Sequence, residues 1–309
     1  MIRIEGLAKR FGRKLAVDHL TFDVEAGHVT GFLGPNGAGK STTMRMIMGL
    51  DRPTAGRALV NGRPFAASGS PLTEVGALLD AKAAAPGRSG LAHLRQLAAT
   101  HKIPRRRVDQ VVGMTGLEAV ISKRIKTYSL GMNQRLGIAA ALLGDPGTVI
   151  LDEPVNGLDP EGVQWVRHLA KSLAAQGRTV FISSHLMAEM ALTADRLVII
   201  GRGRLIADST VADVVAASSG VATRVRSPQA GLIAAQLASP SVTVTAAGPD
   251  CLVVGGLSVE AIGQAAARQG WVIFELTPVT ASLEDAYMKL TDAAVEYRSA
   301  APLTQGVAK

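Results

Sequence analysis

The 309-residue chain has one cysteine, Cys251, and aromatic side chains make up only 4% of it. One cysteine cannot form an internal disulfide, and its isolation suits a reducing compartment. No run of about 18 apolar residues occurs, so no segment is expected to span a bilayer. The first residues, Met1-Ile2-Arg3-Ile4-Glu5, have no apolar signal core. These absences exclude a disulfide scaffold and a membrane-spanning chain, and predict a soluble cytoplasmic protein.

The chain is long enough for two domains, each with its own core. Hydrophobic residues make up 47% of it, and because aromatics are few, small and aliphatic side chains must fill most of these cores. The formal net charge is +8, and Arg105-Arg106-Arg107 is the densest basic cluster. A solvated helix face is the ordinary explanation of such a cluster. Contact with anionic lipid head groups is the functional alternative. We expect no nucleic-acid partner, because no aromatic side chains alternate with these charges.

The clearest motif is a glycine-rich loop after the apolar run 29–33. Its residues are Gly34-Pro35-Asn36-Gly37-Ala38-Gly39-Lys40-Ser41-Thr42, with the spacing G-x-x-x-x-G-K-S of a phosphate-binding P-loop. Glycine lets backbone N–H groups approach a phosphate, and a helix predicted over 42–50 adds the positive end of its dipole. Lys40 can reach the β- and γ-phosphates, and the Ser41 hydroxyl can ligate Mg²⁺. The loop therefore predicts a nucleoside triphosphate site.

Polar residues end two further apolar runs. Asp152 and Glu153 follow residues 148–151, and His185 follows the apolar residues 180–182 and two small polar residues, Ser183 and Ser184. The carboxyl ends of parallel strands share one edge of a sheet, where α/β proteins form their sites. There, Asp152 can hold Mg²⁺ through water and Glu153 can polarise an attacking water. His185 can donate to a γ-phosphate oxygen, so Glu153, His185 and Lys40 are the candidate catalytic residues.

The segment from Phe11 to Val17 lies between two predicted strands, residues 2–4 and 21–24. The Phe11 ring offers a face on which a nucleotide base can stack, although a core or turn phenylalanine is the plainer explanation. Phe11 and Val17 are accordingly candidates for contact with the nucleotide.

The remaining pattern of residues 1–208 predicts an α/β sheet core with a helical insertion. A strand over 74–80 ends on Asp80, and helical spacing then dominates residues 81–141. A helix over 136–143 follows Ser129 and Gly131, and residues 197–200 and 204–207 predict a closing hairpin.

A composition shift after Asp208 predicts a second, α+β domain over 209–309. Strands are predicted at 221–226, 242–244, 251–254 and 271–276, with helices at 229–238, 259–269 and 283–297. The order β-α-β-β-α-β is the ferredoxin-like pattern. This half has no phosphate loop and no acid pair, and it suits a ligand sensor, a dimerisation module or a stabilising module.

Together these motifs resemble the ATP-binding subunit of an ABC transporter. Tyr128-Ser129-Leu130-Gly131-Met132 falls on the family's LSGGQ signature, and Asn156-Gly157-Leu158-Asp159 falls on its D-loop. The resemblance makes Asp152 the end of the Walker B strand, Glu153 the catalytic glutamate, His185 the switch histidine and Phe11 the A-loop aromatic. Within the superfamily the chain looks like the drug-export ATPases of the daunorubicin- and bacitracin-resistance type, through residues 128–136, 153–160 and 282–287.

The chain departs from the family pattern in four places. Leu130 stands where the signature has Gly, and Met132 where it often has Gln. Phe11 replaces the more common Tyr. Asp80 falls where the family has the Q-loop Gln, which contacts Mg²⁺ and senses the permease. A carboxylate adds charge beside the metal, whereas an amide does not, so Asp80 is a candidate residue for both nucleotide and Mg²⁺.

The resemblance implies a homodimer with ATP and Mg²⁺ sandwiched at two composite sites. Each site joins one subunit's P-loop to Ser129 and Gly131 of the other, beside the D-loop residue Asp159. It also implies a separate integral-membrane permease, which would hold this chain at the inner face of the membrane and export a drug, antibiotic or lipid-like substrate. The alternatives are an import ATPase and a soluble ABC ATPase acting on ribosomes or nucleic acid.

Overall fold

The computed structural model of the chain describes residues 1–218, 222–279 and 282–291. These residues form two compact units, Met1–Thr210 and Val211–Leu290. No helix in the described ranges is both long enough and apolar enough to cross a membrane.

The first unit is built on a six-stranded sheet with the order β5-β6-β7-β3-β8-β9. Its strands are β3 (Val29–Leu33), β5 (Val75–Leu78), β6 (Thr148–Leu151), β7 (Thr179–Ser184), β8 (Arg196–Gly201) and β9 (Arg204–Thr210). Neighbouring strands are parallel from β5 to β8, and β9 pairs antiparallel with β8. Every residue of β3, β6 and β7 is buried, because parallel strands covered on both faces need continuous apolar runs.

A three-stranded antiparallel sheet packs against this one. It has the order β2-β1-β4, with β1 (Ile2–Phe11), β2 (Lys14–Val24) and β4 (Ala55–Val60). The ring centroid of Phe22 on β2 lies 5.7 Å from that of Phe32 on β3 and 6.1 Å from that of Phe181 on β7, and the Phe32 and Phe181 centroids are 5.0 Å apart. Half of the chain's six phenylalanines therefore join the two sheets into one core.

Seven α-helices surround the sheets of this unit. They are α1 (Lys40–Ile47), α2 (Pro71–Glu74), α3 (Gly90–Thr100), α4 (Arg105–Thr115), α5 (Leu130–Leu142), α6 (Pro160–Ala175) and α7 (Met187–Thr193). Short 3₁₀ turns lie at Phe65–Ala67 and Ile125–Thr127. Side chains of Ser89, Ser129 and Asp159 cap α3, α5 and α6 by accepting a backbone N–H two or three residues into the helix. Helices α3, α4 and α5 pack together as the insertion, and α5 also packs on β5.

The second unit has its own sheet and core. Its elements are α8 (Val211–Ser218), β10 (Ala222–Arg226), α9 (Ala230–Leu237), β11 (Thr243–Gly248), β12 (Cys251–Gly255), α10 (Val259–Gln269), β13 (Glu275–Pro278) and α11 (Leu283–Thr291). The sheet order is β11-β12-β10-β13 with all neighbours antiparallel. Two β-α-β units, β10-α9-β11 and β12-α10-β13, interleave in this sheet. That is the ferredoxin-like topology, of which the predicted element order is typical. Val225, Ile233 and Ile262 are fully buried at its centre.

Several predicted boundaries were wrong. Helix α5 begins at Leu130, six residues before the predicted start, because the Ser129 cap sets its first turn. Strand β13 begins at Glu275, whereas Trp271 precedes it and donates its indole N–H to Gln236 Oε1 at 3.1 Å. Phe11 and Val17 lie within strands β1 and β2. Residues 292–297 of the predicted last helix lie outside the described residues.

Candidate nucleotide-binding and catalytic site

The glycine-rich loop joins the carboxyl end of β3 to the N-terminus of α1. Gly37 and Gly39 have φ angles of 81° and 106°, which L-residues rarely adopt. A Cβ at Gly39 would also lie 2.6 Å from the Ala16 carbonyl oxygen. Gly39 is the N-cap of α1 and offers no side chain to its N–H groups. The loop therefore presents backbone donors at the positive end of the helix dipole, which suits an anion.

A cavity of about 370 Å³ opens over this loop. Residues 35–42 line it, together with Phe11, Lys14, Ala16 and Glu153. The Phe11 side chain is half exposed, and the Lys9 ammonium lies 4.9 Å from its ring centroid. Val17 is fully buried in the core behind the wall and does not line the cavity. The structure thus brings Phe11 and the loop together. Val17 packs beneath the loop, where a Cβ at Gly39 would lie 3.2 Å from Val17 Cγ2.

Lys40 is 7% exposed, and its Nζ donates to the Gly34 carbonyl oxygen at 2.6 Å. Burial lowers the pKa of Lys40 below its usual value, and the charges of Glu153 and Asp152 offset only part of that lowering. The carboxylates therefore help to keep a buried ammonium protonated at the floor of the cavity. A cation held there can pair with phosphate oxygens.

The acidic residues are positioned by the parallel pairing of β6 with β7, in which Leu151 lies opposite Ile182. The Ser183 hydroxyl, one residue further, donates to Asp152 Oδ1 and accepts from the Glu153 N–H at 2.9 Å. His185 Nδ1 contacts Glu153 Oε2 at 2.7 Å. The structure therefore brings Asp152, Glu153 and His185 to one sheet edge. The sequence reasoning gave Ser183 no role, although it begins the pair of serines that follows the apolar part of this strand.

Glu153 has a left-handed backbone with φ of 50°. Its carbonyl oxygen accepts from Gln134 Nε2 at 3.0 Å and from the Asn156 N–H at 3.2 Å. Gln134 lies on α5 and is 4% exposed. It is the second residue that the sequence analysis missed, because nothing in the α5 pattern marks a polar side chain that reaches another element.

The hydroxyl and carboxylate oxygens near the loop suit Mg²⁺ better than a metal that takes all its ligands from protein side chains. No group of three or more His, Cys, Asp or Glu side chains gathers within the described ranges. Mg²⁺ commonly takes one or two protein ligands and completes its shell with water and phosphate oxygens. Ser41 lines the cavity and has a hydroxyl of this kind, and a carboxylate such as that of Asp152 is the other type of ligand that Mg²⁺ prefers.

The other predicted site residues lie elsewhere in the first unit. Ser129 caps α5, and a Cβ at Gly131 would lie 3.0 Å from the Gly157 carbonyl oxygen. The Asp159 carboxylate accepts from the Gly162 N–H at 2.9 Å. Asp80 lines a separate groove of about 440 Å³ beside His93, and its Oδ1 accepts from the Lys82 N–H at 2.8 Å. None of these four residues lines the cavity over the loop, as far as the described residues show.

Comparison with known proteins places this geometry in a family. Residues 17–156 match the ABC transporter family, and residues 221–284 match a domain of unknown function. The uncharacterized ABC transporter ATP-binding protein YdbJ of Bacillus subtilis (strain 168) is 34% identical over 296 residues, which cover 95% of this chain and 96% of that protein. The bacitracin transport ATP-binding protein BcrA of Bacillus licheniformis is 40% identical over 211 residues, which cover 67% of this chain and 68% of BcrA.

A solved structure of the ATP-binding subunit of an ABC transporter superposes with a TM-score of 0.64 at 26% identity. The match covers 70% of this chain and 92% of that subunit, so the shared fold includes most of its length. Relatives of this identity and coverage, together with the phosphate loop and acid pair of the first unit, establish the family. The chain therefore belongs to the ABC transporter ATP-binding protein family and is an ATPase of that family.

Proposed function

We propose that this chain hydrolyses ATP with Mg²⁺ to power export of a drug, antibiotic or lipid-like substrate through a separate membrane permease. The observation that carries the proposal is the 2.7 Å contact of His185 with Glu153, which lines the same cavity as the P-loop. The likeness to BcrA supports an antibiotic as the substrate class. This role would hold the chain at the inner face of the membrane.

In this proposal the nucleotide is held by residues 34–42 and by Phe11, whose exposed ring can stack on the base. Ser41 and Asp152 would hold Mg²⁺, which supplies positive charge to the phosphates. Lys40 exchanges its contact with the Gly34 carbonyl for phosphate oxygens. Glu153 polarises the attacking water, and His185 fixes the carboxylate and donates to the γ-phosphate.

A homodimer accounts for the residues that lie away from this cavity. Ser129 and Leu130 are exposed at the N-terminus of α5, beside the D-loop residue Gly157. An exposed helix N-terminus with a serine can bind phosphate. We place Ser129, Gly131 and Asp159 against the ATP of a second copy, so that ATP becomes part of the interface and its hydrolysis opens the dimer.

The groove that contains Asp80 is the proposed docking place of a short permease helix. It lies between β5 and the helical insertion, with apolar walls that include Leu50 and Leu79. Asp80→Gln should alter the coupling of ATP hydrolysis to transport, or the preference for Mg²⁺, because it replaces a charged, titrating carboxylate by a neutral amide. Transport and metal dependence of reconstituted vesicles would check this, and wild-type values for both would remove Asp80 from the site.

The test of the proposal as a whole is Glu153→Gln. This variant should bind ATP as the wild type does and lose turnover by roughly 10²–10³-fold, the usual loss for one preorganised polar group. Lys40→Ala is the contrasting variant and should weaken nucleotide binding itself. Normal hydrolysis by Glu153→Gln would show that Glu153 is not the catalytic base.

The partner is tested with the same variant, purified from membranes in Mg-ATP. Recovery of a polytopic membrane protein, lost when ATP is omitted, would support the transporter assignment. Recovery of ribosomal or nucleic-acid material without a membrane protein would instead favour a soluble ABC ATPase.

A further inference from the structure

Glu153 holds a backbone conformation that its own side chain does not favour. Its φ of 50° lies in the left-handed region, where a Cβ approaches the following carbonyl. Neighbouring groups must therefore maintain it. The N–H is held by Ser183 Oγ, and the carbonyl by the Asn156 N–H and by Gln134 Nε2. Gln134 is the one of these three that comes from outside the β6 and β7 ends, and it lies on α5.

Gln134 is an unusual side chain for its position. It is 4% exposed, and its Oε1 has no hydrogen-bond partner in the described part of the chain. A buried amide with one unpaired end is less favourable than an apolar side chain of similar size. If position 134 only had to pack α5 against its neighbours, Leu or Met would therefore be more favourable there than Gln. The contact that an apolar side chain cannot replace is the Nε2 donor to Glu153, because a carbonyl oxygen needs an N–H or O–H.

We propose that Gln134 is a positioning residue for ATP hydrolysis, which aims the Glu153 carboxylate by holding its left-handed peptide from α5. This inference depends on the proposed function, since it takes Glu153 as the group that polarises water. Gln134 does not itself line the cavity, and it contacts the lining through the backbone carbonyl of Glu153. We therefore expect it to act on turnover and not on nucleotide binding. The N-terminus of α5 carries Ser129 and Gly131, so the same helix connects Glu153 to the residues assigned to the second ATP.

The test is Gln134→Met in the full-length chain. Methionine keeps the length and volume, removes the donor, and also removes the unpaired Oε1. We expect kcat to fall roughly 10- to 100-fold, the effect of misplacing a catalytic group by about an ångström. The KM for ATP should stay within about twofold and the melting temperature should not fall. Gln164→Met, the same change at an exposed position of α6, is the matched control and should leave all three values unchanged.

Coupling to Glu153 separates positioning from a general packing role. In the Glu153→Gln background, Gln134→Met should add no further loss of turnover, because both changes disable one group. ATP-driven dimerisation of that double variant should equal that of Glu153→Gln, since the α5 N-terminus is untouched. Additive losses of turnover, weaker dimerisation or a lower melting temperature would identify Gln134 as a packing residue only.

The outcomes also distinguish this inference from the proposed function. Wild-type turnover of Gln134→Met, together with an inactive Glu153→Gln, would overturn the role of Gln134 and leave the proposed function standing. Wild-type turnover of Glu153→Gln would remove the role that the proposed function gives to Glu153, and this inference with it.

Discussion

The basic cluster on α4 contains one arginine with a structural role, and its removal gives a sharp test of the fold. Arg107 donates to the carbonyl oxygens of Leu142 at 2.8 Å and Leu143 at 3.3 Å, at the C-terminal end of α5. It also forms an ion pair with Asp145 at 2.9 Å. The last carbonyls of a helix have no partner within it, so Arg107 caps α5 from a neighbouring helix.

Arg107→Ala should lower the free energy of unfolding of the first unit by about 2–3 kcal/mol. One short hydrogen bond from a charged donor contributes about 1.5–3 kcal/mol, and the longer one contributes less. The ion pair adds no more than about 1 kcal/mol, since the Asp145 side chain is 58% exposed and Arg178 remains beside it. Arg106→Ala removes the same charge from an exposed position of α4 and should cost under about 0.5 kcal/mol.

Urea unfolding monitored by tryptophan fluorescence measures both variants. The chain has two tryptophans, Trp165 in the first unit and Trp271 in the second. A Trp271→Phe background leaves Trp165, whose indole donates to the Met114 carbonyl oxygen near the end of α4 at 3.1 Å. The midpoint should shift at constant slope. An Arg107→Ala loss no larger than that of Arg106→Ala would refute the capping role, and would return all three arginines to a solvated face.

Two further predictions concern pH and the D-loop. Burial and, to a smaller extent, Arg88 lower the pKa of His93 from its usual 6.5, so the folded state disfavours its protonation. The contribution of His93 to the stability of the first unit should therefore be constant above pH 6.5 and should decrease below it. In urea titrations at pH 7 and pH 5, His93→Gln should lose less stability between the two pH values than the wild type does. Equal losses in the two proteins would contradict this. Gly157 has φ of 74°, and a Cβ there would lie 2.3 Å from Leu130 Cδ2. Gly157→Ala should weaken ATP-driven dimerisation measured by gel filtration, and Leu130→Ala should partly restore it; a loss unchanged by Leu130→Ala would place the strain in the backbone alone.

Chemistry that depends on local residue order was predictable from the sequence. A phosphate loop needs glycine and lysine at fixed spacing after a strand, and the structure has that arrangement between β3 and α1. The closeness of Glu153 and His185 followed from the rule that parallel strands end at one sheet edge. The order of the strands did not follow, because it depends on which buried runs become neighbours. Asp80 shows the consequence: it follows β5, the edge strand, and lies in a groove outside the cavity.

The residues that the sequence did not reveal are those that act through a hydrogen bond to a different helix or strand. Ser183 lies in a fully buried strand, and it acts on Asp152 and Glu153 only because β6 and β7 pair in one register. A shift of one residue would turn its hydroxyl to the other face of the sheet. Gln134 likewise depends on how α5 packs against β5.

Ser183 and Gln134 both form hydrogen bonds to the backbone of Glu153, which has a left-handed conformation. Left-handed geometry costs an L-residue about 1–2 kcal/mol, and the hydrogen bond from the Asn156 N–H to the Glu153 carbonyl is the local contact that opposes this cost. Two other elements also hold this backbone, because Ser183 on β7 accepts from the Glu153 N–H and Gln134 on α5 donates to the Glu153 carbonyl. A movement of α5 relative to the sheet would therefore break one of the two hydrogen bonds to the Glu153 carbonyl and loosen the backbone that carries the carboxylate. Ser129 is the N-cap of α5, and the proposed function places it against the second nucleotide. In the proposed dimer, that nucleotide would therefore influence the Glu153 carboxylate through α5.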